Sequence, residues 1–351
     1  MAEKIKKITG MRLFMPIVCL FIVLLVNVIR TPDFFNITLK DGQLSGWLID
    51  VINRGSELVI LAIGMTLVTA ASGGQDISVG AVMAVAAAVC CQILSGGEVS
   101  TNTLAAPIII AAIAGILVAA LCGAFNGFLV AKLNIQPMVA TLILFTAGRG
   151  IAQLVTQGQI TYVRVESYKA MGGFLGPIPT PVIFAVAAVI VAYLVLNKTA
   201  LGMYIESVGI NSHASRLIGL NSTRIKFLTY VICGALAGLA GIVASSRIYS
   251  ADANNIGLNI EMDAILAVAL GGNILSGGKF SLMGSVIGAY TIQALTTTLY
   301  AMSVPSDQLP VYKAIVVIII VVLQSPVYKK AMQNYKAKRQ SKKAVVQGGE
   351  Q

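Results

Sequence analysis

From Val99 to Ala131 the chain runs 33 residues without a charged side chain. A bilayer's hydrocarbon core is about 30 Å thick, so a crossing helix needs roughly 17–25 mostly apolar residues. The stretch meets that length, and it is not alone. Leu13–Ile29, bracketed by Arg12 and Arg30, is uncharged, as are Leu58–Gln75, Ile77–Gly97, Pro177–Asn197, Phe227–Ser246 and Phe280–Ser306. Only 11% of the residues are charged, against about 25% in soluble domains. The fold class read from this pattern is all-α: a polytopic membrane helix bundle, with some helices discontinuous.

Ten spans are expected, at approximately 11–30, 56–72, 78–95, 105–131, 136–157, 179–197, 225–246, 260–275, 281–302 and 311–326. The weakest are those flanking SGGQDISVG (72–80) and the short eighth, which ends in glycines. MAEKIKK before a hydrophobic run resembles a signal peptide. Arg30 follows the run directly, however, with no small-residue cleavage site, and the segment reads as a retained span. The expected division is an N-terminus over 1–10, a membrane domain over 11–326 with an internal loop at 198–224, and a basic tail over 327–351. With the N-terminus in the cytoplasm, alternation puts 17 of the 25 Lys and Arg residues on the cytoplasmic side. Cytoplasmic loops are enriched in these residues, so both termini are expected inside.

The net charge of +11 sits at those cytoplasmic ends, where anionic lipid headgroups attract it. The tail YKKAMQNYKAKRQSKK is therefore read as membrane-adjacent, and no nucleic-acid partner is expected. Cys19, Cys90, Cys91, Cys122 and Cys233 lie in apolar spans without disulfide or zinc spacing. His213 is the single histidine, too little for metal or acid–base chemistry. No metal site and no catalytic residue are expected. GGNILSGGKF (271–280) superficially resembles a phosphate loop, but Asn273 stands where the Walker pattern needs Gly and Phe280 where it needs Ser or Thr.

Two glycine-rich segments fit discontinuous helices. SGGQDISVG sets Gly73, Gly74 and Gly80 around Asp76 and Ser78, and LGGNILSGGKFSLMG does the same with Gly271, Gly272, Gly277 and Gly278. Irregular backbone at membrane depth survives only in protein or beside a wet cavity, and such pairs mark transporter pathways. The alternative is a short turn, with Gly ending one helix and Asp76 or Ser78 capping the next. For Asp76 capping is the expected role. Candidate pathway residues are Gly73, Gly74, Asp76, Ser78, Asn126, Arg149, Gln153 and Gln293, because polar groups inside spans are functional by default. For Arg149, snorkelling or pairing with an acidic neighbour is an equal reading. Gly123–Gly127 and Gly234–Gly238 are small-xxx-small frames that let helices approach closely.

The segment 197–227 is the longest internal cytoplasmic stretch. Asn211 or Ser212 can cap a short helix there and Gly219 can close it. Ala214, Leu217 and Ile218 then form one apolar patch at i, i+3, i+4, with His213 and Arg216 on other faces. Such a helix suits docking into a partner's groove, or lying against headgroups.

At this point the residues carry a resemblance. SGGQDISVGAVMA is similar to the Gly-Gly-x-Asp-x-Ser-Val-Gly motif of permease subunits of bacterial ABC-type monosaccharide importers, the ribose, xylose and galactose group. NKTALGMYIESVGINSHASRLIGLNSTRIKFLTYVICGALAGLAGI and LNIEMDAILAVALGGNILSGGKFSLMGSVIGA resemble that family's later blocks, and NGFLVAKLNIQPMVATLILFTAGRGIAQ its region after span four. The likeness covers about residues 50–325. IQPMVATLILFTAGRGIAQLVTQGQI and YSADANNIGLNIEMDAILAVALGG look closest to galactofuranose-importer permeases. Gln75 departs from a common aliphatic, and Asn273-Ile-Leu-Ser fills the link between the last glycine pairs.

The resemblance implies a second permease subunit, identical or homologous. It implies a dimer of cytosolic ATP-binding cassette subunits, which hold ATP and Mg2+, and a periplasmic or lipid-anchored sugar-binding protein. This chain itself is expected to bind no cofactor and to be no enzyme. Asn211, Ser212, His213, Ala214, Ser215, Arg216, Leu217, Ile218 and Gly219 become the coupling helix seated on the ATPase, and the location is the bacterial inner membrane. An ion-coupled secondary transporter normally shows several intramembrane carboxylates, and here only Asp76, Glu261 and Asp263 are available. A membrane enzyme needs clustered His, Asp or Glu, which one histidine does not supply.

Overall fold

A computed structural model of the chain describes residues 13–40 and 42–324, and the basic N-terminal residues and the tail lie outside the described residues. The chain divides into two units, at Met302 and Ser303. The first is helical: α1 (Phe14–Arg30), α2 (Trp47–Ser72), α3 (Val79–Ser95), α4 (Ile108–Ala131), α5 (Pro137–Val155), a four-residue α6 (Glu166–Lys169), α7 (Thr180–Lys198), α8 (Leu201–Ile210), α9 (Ser212–Leu217), α10 (Ser222–Arg247), α11 (Ile260–Leu270) and α12 (Leu282–Ala301). The second contains α13 (Leu309–Gln324), a single apolar helix.

Each expected span contains a helix, but they are not equal. Among the described residues five have the length and hydropathy of a crossing: α2, α4, α5, α7 and α10. The expected eighth span is corrected. Its helix stops at Leu270, and 11 residues rise only about 16 Å, because Gly271 and Gly272 break it where 260–275 was expected to continue. The second span is corrected in the other direction: α2 begins at Trp47, nine residues before the expected start at Ser56.

Burial separates centre from rim. In its most apolar window α2 is 94% buried, against 22% for α4, 28% for α5 and 17% for α7. A helix apolar all round belongs either in a core or in lipid, and this bundle uses both. α2 and α3 form the centre, packed by α10, with α12 on α2 and α4 and α5 on α3. The rim turns Ile109, Leu121 and Leu154 outward, a surface that hydrocarbon solvates and water does not.

Short strands fix which helix ends lie together. β1 (Thr38–Lys40) and β2 (Gln43–Ser45) form one antiparallel hairpin; β5 (Phe174–Leu175) and β6 (Ile178–Pro179) form another. β3 (Ser100–Thr101), β4 (Thr161–Val163) and β7 (Ser250–Ala251) make a three-stranded sheet, with Tyr162 paired to Ser100 on one side and Ser250 on the other. These strands come from the loops after α3, α5 and α10, so those three helices end at one face, called here the strand face. Beside it Tyr249 donates to Glu166 Oε1, and Lys169 Nζ sits 5.0 Å from the Tyr249 ring centroid. The Tyr249 hydroxyl raises the Lys169 ammonium pKa above its ordinary value, chiefly by hydrogen bonding. At the opposite face the Gly278 N–H donates to Ala70 O at 2.9 Å, joining the ends of α2 and the α11–α12 link.

Candidate translocation and coupling sites

The two glycine-rich segments, 200 residues apart in sequence, meet at the face opposite the strands. Gln75 Nε2 donates to Leu275 O at 3.3 Å. Gly73 ends α2 in the left-handed region, at φ +67°, with its N–H on Thr69 O, and any Cβ there meets the backbone of Ser276. Both the dihedral and the close approach select glycine. Gly74 lies against the ring of Pro137.

Asp76 does not cap α3 as expected. Ser78 occupies the cap position, and no side chain closes it. The Asp76 carboxylate instead accepts from the Ser78 N–H at 2.9 Å and its hydroxyl at 2.6 Å, a turn completed before the helix starts. Asn126 of α4 donates Nδ2 to Ser78 Oγ at 2.8 Å and to Asp76 Oδ1 at 3.4 Å. All three residues are buried. The carboxylate therefore faces its own turn and a neighbouring helix, and the hydrogen bonds offset the cost of burying it.

Asn273, noted in the sequence only as a departure, organises the second segment. Its Nδ2 donates to Val268 O and Ser285 Oγ, and its Oδ1 accepts from the Ser281 N–H. Ser285 meets Thr66 Oγ1 of α2 at 2.6 Å, so a single amide ties the break to the central helix. The clue in the sequence is an amide eight residues before a serine that opens a helix.

Arg149 and Gln153 reach from α5 to the loop after β7. Arg149 Nη1 donates to the carbonyl oxygens of Ala253, Asn254 and Ile256 at 2.9, 3.3 and 2.6 Å. Gln153 Nε2 donates to Asn254 Oδ1 at 2.6 Å. Arg149 thus pairs with backbone carbonyls at the strand face. Hydrogen bonds to charged groups each contribute about 1.5–3 kcal/mol. Arg149→Gln is therefore expected to lower stability by about 2 kcal/mol, read as a lowered thermal midpoint of the purified protein. An unchanged midpoint would show that the tether carries no stability.

The segment from Asn211 folds as its caps predict. Asn211 Oδ1 accepts from the N–H groups of His213 and Ala214, both at 3.0 Å. Gly219, at φ +88°, ends the turn. Ser215 is buried with its hydroxyl on Asn211 O, and Arg216 Nε donates to Ser222 Oγ. Opposite these anchors Leu217 is 90% and Ile218 75% exposed. A six-residue helix that buries a serine and displays Leu217 and, at its end, Ile218 leaves an apolar contact unmade among the described residues.

At the strand face lies a cavity of about 560 Å³. Of the candidate pathway residues, Gln293 lines it; the others sit in the packed turn or the α5 tether. One wall is α2 from Trp47 to Leu58 and the other is α12 from Gln293 to Tyr300. Glu57 and Arg247 form an ion pair in its lining, Oε1 to Nη2 at 2.9 Å, with Arg247 Nη2 also donating to Asn53 Oδ1 at 3.1 Å. Trp47, Asp50, Arg54 and Glu57 were missed because charges before a hydrophobic run read as its border.

The family model described as branched-chain amino acid transport system / permease component matches residues 47–324. The chain is 46% identical over 310 residues to the galactofuranose transporter permease protein of Escherichia coli, covering 88% of each. It is 39% identical over 342 residues to the fructose import permease protein of Bifidobacterium longum, covering 95% of this chain and 94% of that one. To the ribose import permease protein of Escherichia coli it is 33% identical over 314 residues, covering 88% and 92%. No solved structure matches it. Its three relatives above are named as sugar permeases, and, matched from the first residue of α2 to the last of α13, the chain belongs to the branched-chain amino acid transport system / permease component family.

Proposed function

We propose that this chain is the permease subunit of an ATP-driven ABC importer that moves a monosaccharide, of the galactofuranose, galactose or ribose kind, into the cytoplasm. The observation that carries the reading is the exposed Leu217–Ile218 pair closing α9, at the end of the bundle away from the polar cavity. In this reading α9 docks on an ATP-binding cassette dimer, which holds ATP and Mg2+ and supplies the energy. α9 joins α8 directly, and the glycine contacts between Ala70 and Gly278 lie beside α8. A push on α9 is then felt at both broken segments, where Gly73, Gly209 and Gly277 bring the backbones together.

The proposed arrangement has ten crossings, both termini in the cytoplasm and the strand face outside, in a bacterial inner membrane. A periplasmic or lipid-anchored sugar-binding protein delivers substrate there, and a second permease subunit completes the pathway. Asp76, Ser78 and Asn126 hold the turn beside that pathway, and Arg149 and Gln153 hold its outer loop. The relatives named for galactofuranose, fructose and ribose support the sugar class.

Gentle purification through a terminal tag tests this reading. An ATP-binding cassette protein is expected to come with the chain, and sugar uptake is expected to stop on ATP depletion but survive collapse of the ion gradient. A chain recovered alone, with uptake lost on collapsing the gradient, would replace it with ion-coupled transport.

A further inference from the structure

The cavity at the strand face is bounded by two helix faces of unusual chemistry for this chain. On α2, Trp47, Asp50, Arg54 and Glu57 recur at helical spacing, and on α12, Gln293, Thr296, Thr297 and Tyr300 do the same. In lipid such stripes are costly; polar groups at depth face a wet cavity or one another. The two stripes are also matched in order. Each has an aromatic ring at its outer end, Trp47 at the first residue of α2 and Tyr300 one residue before the end of α12. Both rings are more than a third exposed, so they flank an open mouth. Further along the two stripes come the hydrogen-bonding side chains, and the Glu57–Arg247 pair also lines the cavity.

Resting on the importer reading, we infer that this cavity is a binding site within the permease for a single neutral sugar, entered between Trp47 and Tyr300. Its size suits a small ligand with attendant water, since ligand pockets run from roughly 300 to 1,000 Å³. The charge balance selects the class. The lining carries three carboxylates, Asp50, Glu57 and Asp263, against two guanidiniums, Arg54 and Arg247. The lining has one negative charge in excess, which disfavours an anion. A branched-chain amino acid needs an apolar recess, whereas the aliphatic lining is only Leu58 and Ile260. A sugar uses what is present: carboxylates accept from its hydroxyls, Arg54 and Gln293 donate to them, and its C–H face packs on an aromatic ring. Gln293 and Asp50 are the residues assigned to orient it.

Trp47 is the chain's only tryptophan, so its fluorescence reports on this mouth and nowhere else. The full-length chain in lipid nanodiscs, without partners, is titrated with D-ribose, D-fructose, methyl β-D-galactofuranoside and L-leucine. A saturable change in emission is expected with at least one sugar and not with leucine. Gln293→Ala and Asp50→Asn are each expected to raise the midpoint about tenfold, the loss of roughly one hydrogen bond to a polar or charged group. Saturation by leucine alone would overturn the sugar assignment. Unshifted midpoints in both variants would overturn the lining roles. No response to any sugar, while the assembled wild-type importer takes one of them up with ATP, would overturn the site and leave the importer reading standing. Absence of ATP-driven uptake of any of these sugars as well would bring down both.

Discussion

Replacing Leu217 and Ile218 together with aspartate is expected to abolish ATP-driven uptake while leaving the protein folded and inserted. Both side chains are exposed, and α9 is held by Asn211, Ser215 and Arg216, none of which the change touches. Among the described residues, therefore, no contact is lost, and the thermal midpoint should not move. The contact with the ATPase is another matter. Truncating an anchor at the centre of an interface costs about 2 kcal/mol or more, and a carboxylate driven into an apolar groove adds to it. Two anchors together weaken the contact roughly a thousandfold. Uptake in membrane vesicles should fall to background, and the ATPase should no longer co-purify. Leu217→Met, which keeps volume and polarity, should behave as wild type. Normal uptake in the double aspartate variant would sink the coupling role of α9.

The second large effect lies in the core. Gly234→Leu is expected to destroy the folded state. α4 and α10 make the most extensive helix contact in the first unit, and they cross where Gly123 and Gly234 face each other. A Cβ on Gly234 falls 2.9 Å from Gly123 Cα and closer still to Ala119 O. These are backbone atoms, which no rotamer change can move aside. Overpacking a well-filled core costs typically about 1–3 kcal/mol and occasionally more, and here the helix axes must separate. Membrane helices lack a hydrophobic force between them and depend on packing, so the lost contact is not replaced. The variant should elute as aggregate on detergent size-exclusion chromatography. Gly150→Leu is the internal control: it is exposed on α5 with open space where its Cβ would stand, and it should elute as wild type does. A monodisperse Gly234→Leu protein would mean that the crossing is looser than its geometry.

What the sequence made legible was whatever depends on neighbours in the chain. The spans followed from uncharged windows, because bilayer thickness sets a length that a single helix must meet by itself. The cap at Asn211 and the stop at Gly219 were readable because cap chemistry acts within three or four residues. Gly73 as the end of α2 was readable because glycine just after an apolar run is a common helix stop.

Other features needed partners from distant chain. Asp76 looked like a cap because it precedes a helix. Asn126, 50 residues away, closes over it and Ser78 and makes it part of a buried turn. Arg149 was open between functional and structural readings until three carbonyls of the 253–256 loop met it. The shortness of α11 came from glycines that were visible, but hydropathy carries a span through glycine as readily as it ends one there. The polar cavity was hidden altogether. Asp50, Arg54 and Glu57 look like the border of a span, and Gln293 and Thr297 look like isolated polar residues inside another. The sequence by itself determined that this chain is a bundle of membrane helices with a capped helix between α8 and α10, since length, polarity and capping are local. Only the tertiary structure decided that two glycine breaks adjoin and that two polar stripes enclose one cavity, since each feature exists only when helices far apart in the chain pack side by side.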